Sequence, residues 1–206
     1  AAKRLTQPVV VEDSQANLQG NLANLQKLAV AGKLSALSFT DNDTSLQFSA
    51  AQLNTSSALL AKAVASGVTV KVADTAGNTA RMASRISTAF EVTVTDTAAN
   101  IEKNLTGLQT LAVTGKLDTL AFTDSSPVLT MKASQFGATA AVRAKMSGAA
   151  ITVSDSAANV AKVNVSAASA VAIKDSASNV LRNFEAMRTL AATGPSMTVT
   201  IIDRAP

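Results

Sequence analysis

At 206 residues, 47% of them hydrophobic and only 16% charged, the chain has enough apolar surface to bury a core and too little charge to stay disordered. With no Cys and no His it can form neither disulfides nor thiolate zinc sites, and it lacks the usual nucleophile, general base and transition-metal ligands, so catalysis is not expected. The formal charge of +4 comes from Lys and Arg spread along the chain, with no basic run and no Trp or Tyr to stack on bases, so no nucleic-acid partner is expected; no apolar stretch reaches the roughly 18 to 20 residues of a membrane span.

In chain order, residues 1–8 read as an N-terminal linker or arm that opens on Ala1 without an initiator Met, as a processed or excised chain would. A β-branched run at 9–11 leads into the phrase Asp-(Ser/Thr)-x-(Ala/Gly/Ser)-Asn, which returns after similar runs further on. Its copies start at Asp13, Asp74, Asp96, Asp155 and Asp175 and end at Asn17, Asn78, Asn100, Asn159 and Asn179. The steps between successive aspartates are 61, 22, 59 and 20 residues, a long step alternating with a short one, which makes a unit of 79 to 83 residues.

After the first, third and fifth Asn, apolar residues fall at +1, +5, +8 and +11 and a Gly at +15. These are Leu18, Leu22, Leu25, Leu28 and Gly32; Ile101, Leu105, Leu108, Leu111 and Gly115; and Val180, Phe184, Met187, Leu190 and Gly194. That spacing places four side chains on one face of an α-helix. Ser14, Thr75, Thr97, Ser156 and Ser176 stand where N-caps are needed, and the three glycines suit a stop in the left-handed region. Further strands follow at 37–41, 120–124 and 199–203, the first two leading through a polar link to 46–48 and 129–131, where Gln52 and Gln135 open Ala-rich segments. No helix fits the links, so 41–46 and 124–129 must form a hairpin or a sharp arc between two sheets.

Each unit therefore reads strand, Asp, helix, Gly, strand. A helix between neighbouring parallel strands makes a right-handed crossover. Repeated, it predicts an α/β fold, a right-handed βα solenoid with repeat 1 over 9–91, repeat 2 over 92–170 and a partial repeat 3 over 171–206. The competing arrangement is two compact α/β repeat domains divided near residue 91.

The ten Asp and Asn residues of the repeated phrase are read as a structural ladder and as caps, with the Asn amides bonding to backbone of the neighbouring coil. Sugar or ion binding along the same edge is the alternative. For calcium, a hard cation that wants several oxygen ligands, Asp41 and Asp43 are the best local candidates, although the counterpart Asp124-Ser125-Ser126 lacks the second carboxylate. No other cofactor is expected, and no spacing signals a Ser-Lys hydrolase.

The phrases Val92-Thr-Val-Thr-Asp-Thr-Ala-Ala-Asn100, Leu108-Gln-Thr-Leu-Ala-Val-Thr-Gly-Lys-Leu117 and Leu120-Ala-Phe-Thr-Asp124 resemble repeats of very large bacterial cell-surface and secreted proteins, S-layer-like proteins and type I secreted, hemolysin-type adhesins among them. The resemblance covers the chain from Val9 to Asp203. It implies an extracellular or cell-surface location and a structural or adhesive role, as scaffold, spacer or self-associating filament unit. The second expectation is a module whose Ser, Thr and Asn face binds glycans or a protein partner.

Overall fold

The computed structural model describes residues 6–203, so most of the expected arm at 1–8 lies outside the described residues. The fold is α/β, with parallel sheets flanked by short helices. The described residues divide into two compact units: one holds 6–95 together with Thr114–Thr119, the other Asp96–Val113 and 120–203.

In the first unit, β1 (Val9–Asp13) is followed by α1 (Gln15–Gly20), α2 (Leu22–Val30) and β2 (Leu34–Phe39), and β2 pairs parallel with β1. Then come β3 (Ser45–Phe48), α3 (Gln52–Thr55), α4 (Ser57–Ala65), β4 (Thr69–Asp74), α5 (Ala76–Arg81) and β5 (Phe90–Asp96). Strands β3, β4 and β5 lie side by side in chain order, all parallel, with Leu46 opposite Val70 and Val72 opposite Val92. Alternate residues point inward, as the two-residue period of a strand requires, so Leu46, Phe48, Val70, Val72, Val92 and Val94 are all buried.

The second unit repeats the order. It contains α6 (Ala98–Lys103) and α7 (Leu105–Val113), β6 (Thr119–Phe122) at its border, and β7 (Val128–Met131), α8 (Ala133–Ala138), α9 (Ala140–Arg143) and β8 (Ala150–Asp155). These lead to α10 (Ala157–Val160), β9 (Ala170–Asp175), α11 (Ala177–Arg182), α12 (Phe184–Thr193) and β10 (Ser196–Ile201). Strands β7, β8, β9 and β10 again lie in chain order and parallel, with Met131 opposite Val153 and Ile173 opposite Val199. A parallel neighbour reached through helices is the geometry that the strand, Asp, helix reading expects.

Of the two alternatives for the links, hairpin or arc, the structure shows the arc: β2 and β3 belong to different sheets, as do β6 and β7, so 40–44 and 123–127 carry the chain from one sheet to the next. Three expectations need correction. Each expected single helix is broken into two, at Asn21, Asn104 and Asn183. These residues leave helical geometry (Asn21 at φ −113°, ψ 16°), and their side-chain amides donate to the carbonyls of Asn17, Asn100 and Asn179 at 2.8 to 2.9 Å. A side chain that bonds the backbone four residues back competes with the helix ladder and bends it, which turns the apolar face around the corner of the layer. Of the three glycines, Gly32 and Gly115 take the left-handed conformation (φ 66° and 68°), whereas Gly194 does not (φ −135°). Lastly, Thr75 makes no cap bond to its helix, because its hydroxyl turns to Asp74 instead; Ser14, Thr97, Ser156 and Ser176 all accept from the N–H of the Asn three residues on.

Candidate functional site

The repeated aspartates stand at strand ends, and Asp155 shows their geometry in full. Its Oδ1 accepts from the Ser156 N–H at 2.8 Å and from Asn159 Nδ2 at 2.8 Å, both in its own layer. Its Oδ2 accepts at 3.0 Å from the N–H of Ala133, the first residue of α8, which belongs to the preceding layer. One carboxylate thus closes its own turn and supplies the helix of the layer before it with an acceptor for an N–H that has no intrahelical partner.

The same bonds recur. Within a layer, Asp13, Asp74, Asp96 and Asp175 accept from Asn17, Asn78, Asn100 and Asn179 at 2.7 to 2.8 Å, and each also accepts from the N–H of the residue that follows it. Between layers, Asp74 accepts from Ala50 N–H at 2.8 Å and Asp175 from Ala157 N–H at 3.1 Å. Three aspartates outside the repeated phrase do likewise: Asp41 takes Gln15 N–H at 2.9 Å, Asp124 takes Ala98 N–H at 2.6 Å, and Asp203 takes Ala177 N–H at 3.0 Å. The roles within the ladder therefore differ from those expected. Asn locks the carboxylate in place inside its own layer, and it is Asp that crosses to the neighbour.

These bonds favour the ionised form. The Asp13 and Asp175 carboxyls are held below their ordinary value, first by the Asn amide and then by the following N–H. For Asp74 and Asp155, burial pushes the other way, but the bonds from Asn78 and Asn159 and from backbone N–H groups outweigh it, and both carboxyls also end below the ordinary range. Held in specific hydrogen bonds and lowered in pKa, these carboxylates are poor candidates for a general base or acid, which needs a pKa near the working pH.

The calcium candidates are similarly engaged. Asp41 spends Oδ2 on α1, and Asp43 Oδ1 accepts from the Ser45 hydroxyl at 2.6 Å and the Ser45 N–H at 3.1 Å, which lowers its pKa. Among the described residues no group of three or more Asp, Glu, His or Cys is placed to hold a metal ion.

A second set of contacts between layers has no counterpart in the sequence reading. Gln26 Oε1 accepts from Leu59 N–H at 2.8 Å, and its equivalent Gln109 accepts from Val142 N–H at 2.8 Å. The receiving helices α4 and α9 have no side-chain cap of their own, so a residue of the preceding layer caps each of them. Gln19 both accepts from Gln47 N–H and donates to Gln47 O, at 2.8 Å each, and its equivalent Glu102 accepts from Thr130 N–H at 3.0 Å. The signal that could have found them is the register itself: amide or carboxyl side chains recur at +2 and +9 from Asn17 and Asn100.

Surface grooves are shallow and carry little chemistry. One between the α10 turn and α12 is lined by Val163, Asn164, Ser166, Met187 and Leu190, and one beside α7 by Thr106, Gln109, Thr110, Gln135 and Thr139; neither contains a titratable side chain. No helix among the described residues is long and apolar enough to cross a membrane. Comparisons of the chain with known protein families, with curated proteins and with solved structures return no match.

Proposed function

We propose that the chain is a non-catalytic structural repeat module, a right-handed βα solenoid acting as scaffold or spacer in a bacterial surface layer, adhesin or filament outside the cell. The observation that carries this reading is the repeated carboxylate bond between layers, from Asp41 on Gln15 to Asp203 on Ala177. Asp41, Asp74, Asp124, Asp155, Asp175 and Asp203 each hold one layer to the next, as a stacked-repeat protein requires and a catalytic site does not. The bacterial surface assignment draws on the sequence resemblance.

The groove beside α7, with Thr106, Thr110 and Gln135 at its rim, supports a second reading, a module that binds glycans or a protein partner. Electron microscopy of the concentrated chain together with a glycan array separates the two. Ordered filaments or sheets and a silent array are the expected result. Dispersed monomers that are retained on the array overturn the scaffold reading.

A further inference from the structure

The first two copies of the unit show what belongs on the outer side of a helix pair and its second strand. In copy one Leu22 and Leu37 are buried, and in copy two their equivalents Leu105 and Leu120 are buried. The cover is the same type of layer each time. Helix α4 packs on α2 and β2, and α9 packs on α7. The second strands are met by the chain that follows those helices: Leu37 N–H donates to Ser66 Oγ at 3.1 Å, and Leu120 N–H donates to Lys145 O at 3.1 Å.

In copy three the equivalent residues, Phe184 and Val199, are 51% and 42% exposed, while Met187, equivalent to the buried Leu25 and Leu108, is itself buried. The layer is therefore covered on its inner side at Met187 and bare on its outer face. Leu181 and Ile201 extend that apolar face; among the described residues β10, like its equivalents β2 and β6, is an end strand of its sheet. A contiguous set of exposed apolar side chains on one face marks a surface for a partner.

We propose that the face built by α11, α12 and β10 is a docking surface for a strand–helix–helix layer of the β7–α8–α9 type, contributed by another repeat unit. The chain shows such a layer on the equivalent face twice. A second copy of this chain fits less well, because its own layers of that type are already covered by α2 and β4 or by α7 and β8. The docking differs from the two internal cases in one respect. Leu181 stands where Gln19 and Glu102 grip the strand of the next layer, and Arg188 stands where Gln26 and Gln109 cap its helix. Arg donates only, so it cannot accept that N–H, and in this structure it pairs with Glu185 on the surface at 2.7 Å. The incoming layer is thus held by apolar burial and by a backbone contact at Val199, as at the equivalent Leu37 and Leu120, without the two side-chain grips.

This inference rests on the repeat-module reading for the recurrence of like layers. The test is hydrogen exchange, read by mass spectrometry, on the 206-residue chain and on a chain in which residues 125–170 are repeated after Asp203. In the extended chain the β10 amides exchange at least about tenfold more slowly, independently of protein concentration, and Leu181→Gln with Arg188→Gln slows them further by restoring both acceptors. Unchanged exchange of β10 in the extended chain overturns the proposal. So does protection of β10 in the 206-residue chain that rises with concentration, which would assign the face to a second copy. Protection of β10 without ordered assemblies in the microscope would sink the scaffold reading and leave the docking surface standing.

Discussion

Replacing Asp74 with Ala removes one carboxylate from the seam between β4 and the preceding layer and strands its donors. The Ala50 N–H sits at a fully buried residue 2.8 Å from Oδ2, out of reach of water, and an orphaned buried donor costs about 1 to 3 kcal/mol. The Thr75 N–H and the Asn78 amide lie nearer the surface and find water, adding a few tenths of a kcal/mol each. The sum is a loss of about 2 to 3 kcal/mol, which for a chain of this length lowers Tm by about 5 to 10 °C. Asp74→Asn sharpens the argument. The amide keeps the shape, but its NH2 must face either Ala50 or the Thr75 and Asn78 donors, so about 1 to 2 kcal/mol is still lost. Thermal and urea unfolding followed by circular dichroism measures both variants. If Asp74→Ala melts within about 1 °C of the parent, the bond between layers contributes nothing net and the reasoning fails.

Acid should unfold the chain through the same groups. The carboxyls of Asp13, Asp43, Asp74, Asp155 and Asp175 are all lowered from an ordinary value of 3.8, so the unfolded chain takes up protons that the folded chain refuses; stability is fully present above that value and drains away as pH falls through the folded values, and a Tm that stays flat from pH 5 to pH 2 would refute this. Gln26→Ala and Gln109→Ala each leave a buried helical N–H unpaired, at Leu59 or Val142, and should each cost about 1 to 2 kcal/mol in urea denaturation, whereas Gln→Glu at either position keeps the acceptor and most of the stability. Gly32→Ala should cost about 1 kcal/mol for its left-handed backbone alone, since open space surrounds the added methyl; Gly20→Ala, at the last residue of α1 and equally unobstructed, should gain up to about 0.5 kcal/mol, and melts that rank the two the other way would contradict the backbone assignment.

The strands, the helix faces and the positions of the crossing aspartates were legible from the sequence, because each layer repeats one apolar register and a repeated register marks the core. What the aspartates touch was less legible. Asp and Asn four residues apart look alike as polar ladder members, and only coordinates show that Asn78 holds Asp74 within the layer while Asp74 reaches Ala50. The helix breaks were missed because the apolar count runs straight through them; the recurrent Asn21, Asn104 and Asn183 carried the signal, in a polar position that a search for apolar spacing ignores. Hydrophobic periodicity likewise says nothing about Gln26 or Gln109, whose partners lie 33 residues away.

The six aspartate bonds between layers run the same way along the chain: an aspartate at or just past a later strand completes an earlier helix start. Such a one-way dependence has a consequence during synthesis. A helix start that emerges from the ribosome stays provisional until the next strand arrives some 18 to 26 residues later to fasten it. Maturation would then trail the growing end by one such interval, and never by the whole length of the polypeptide.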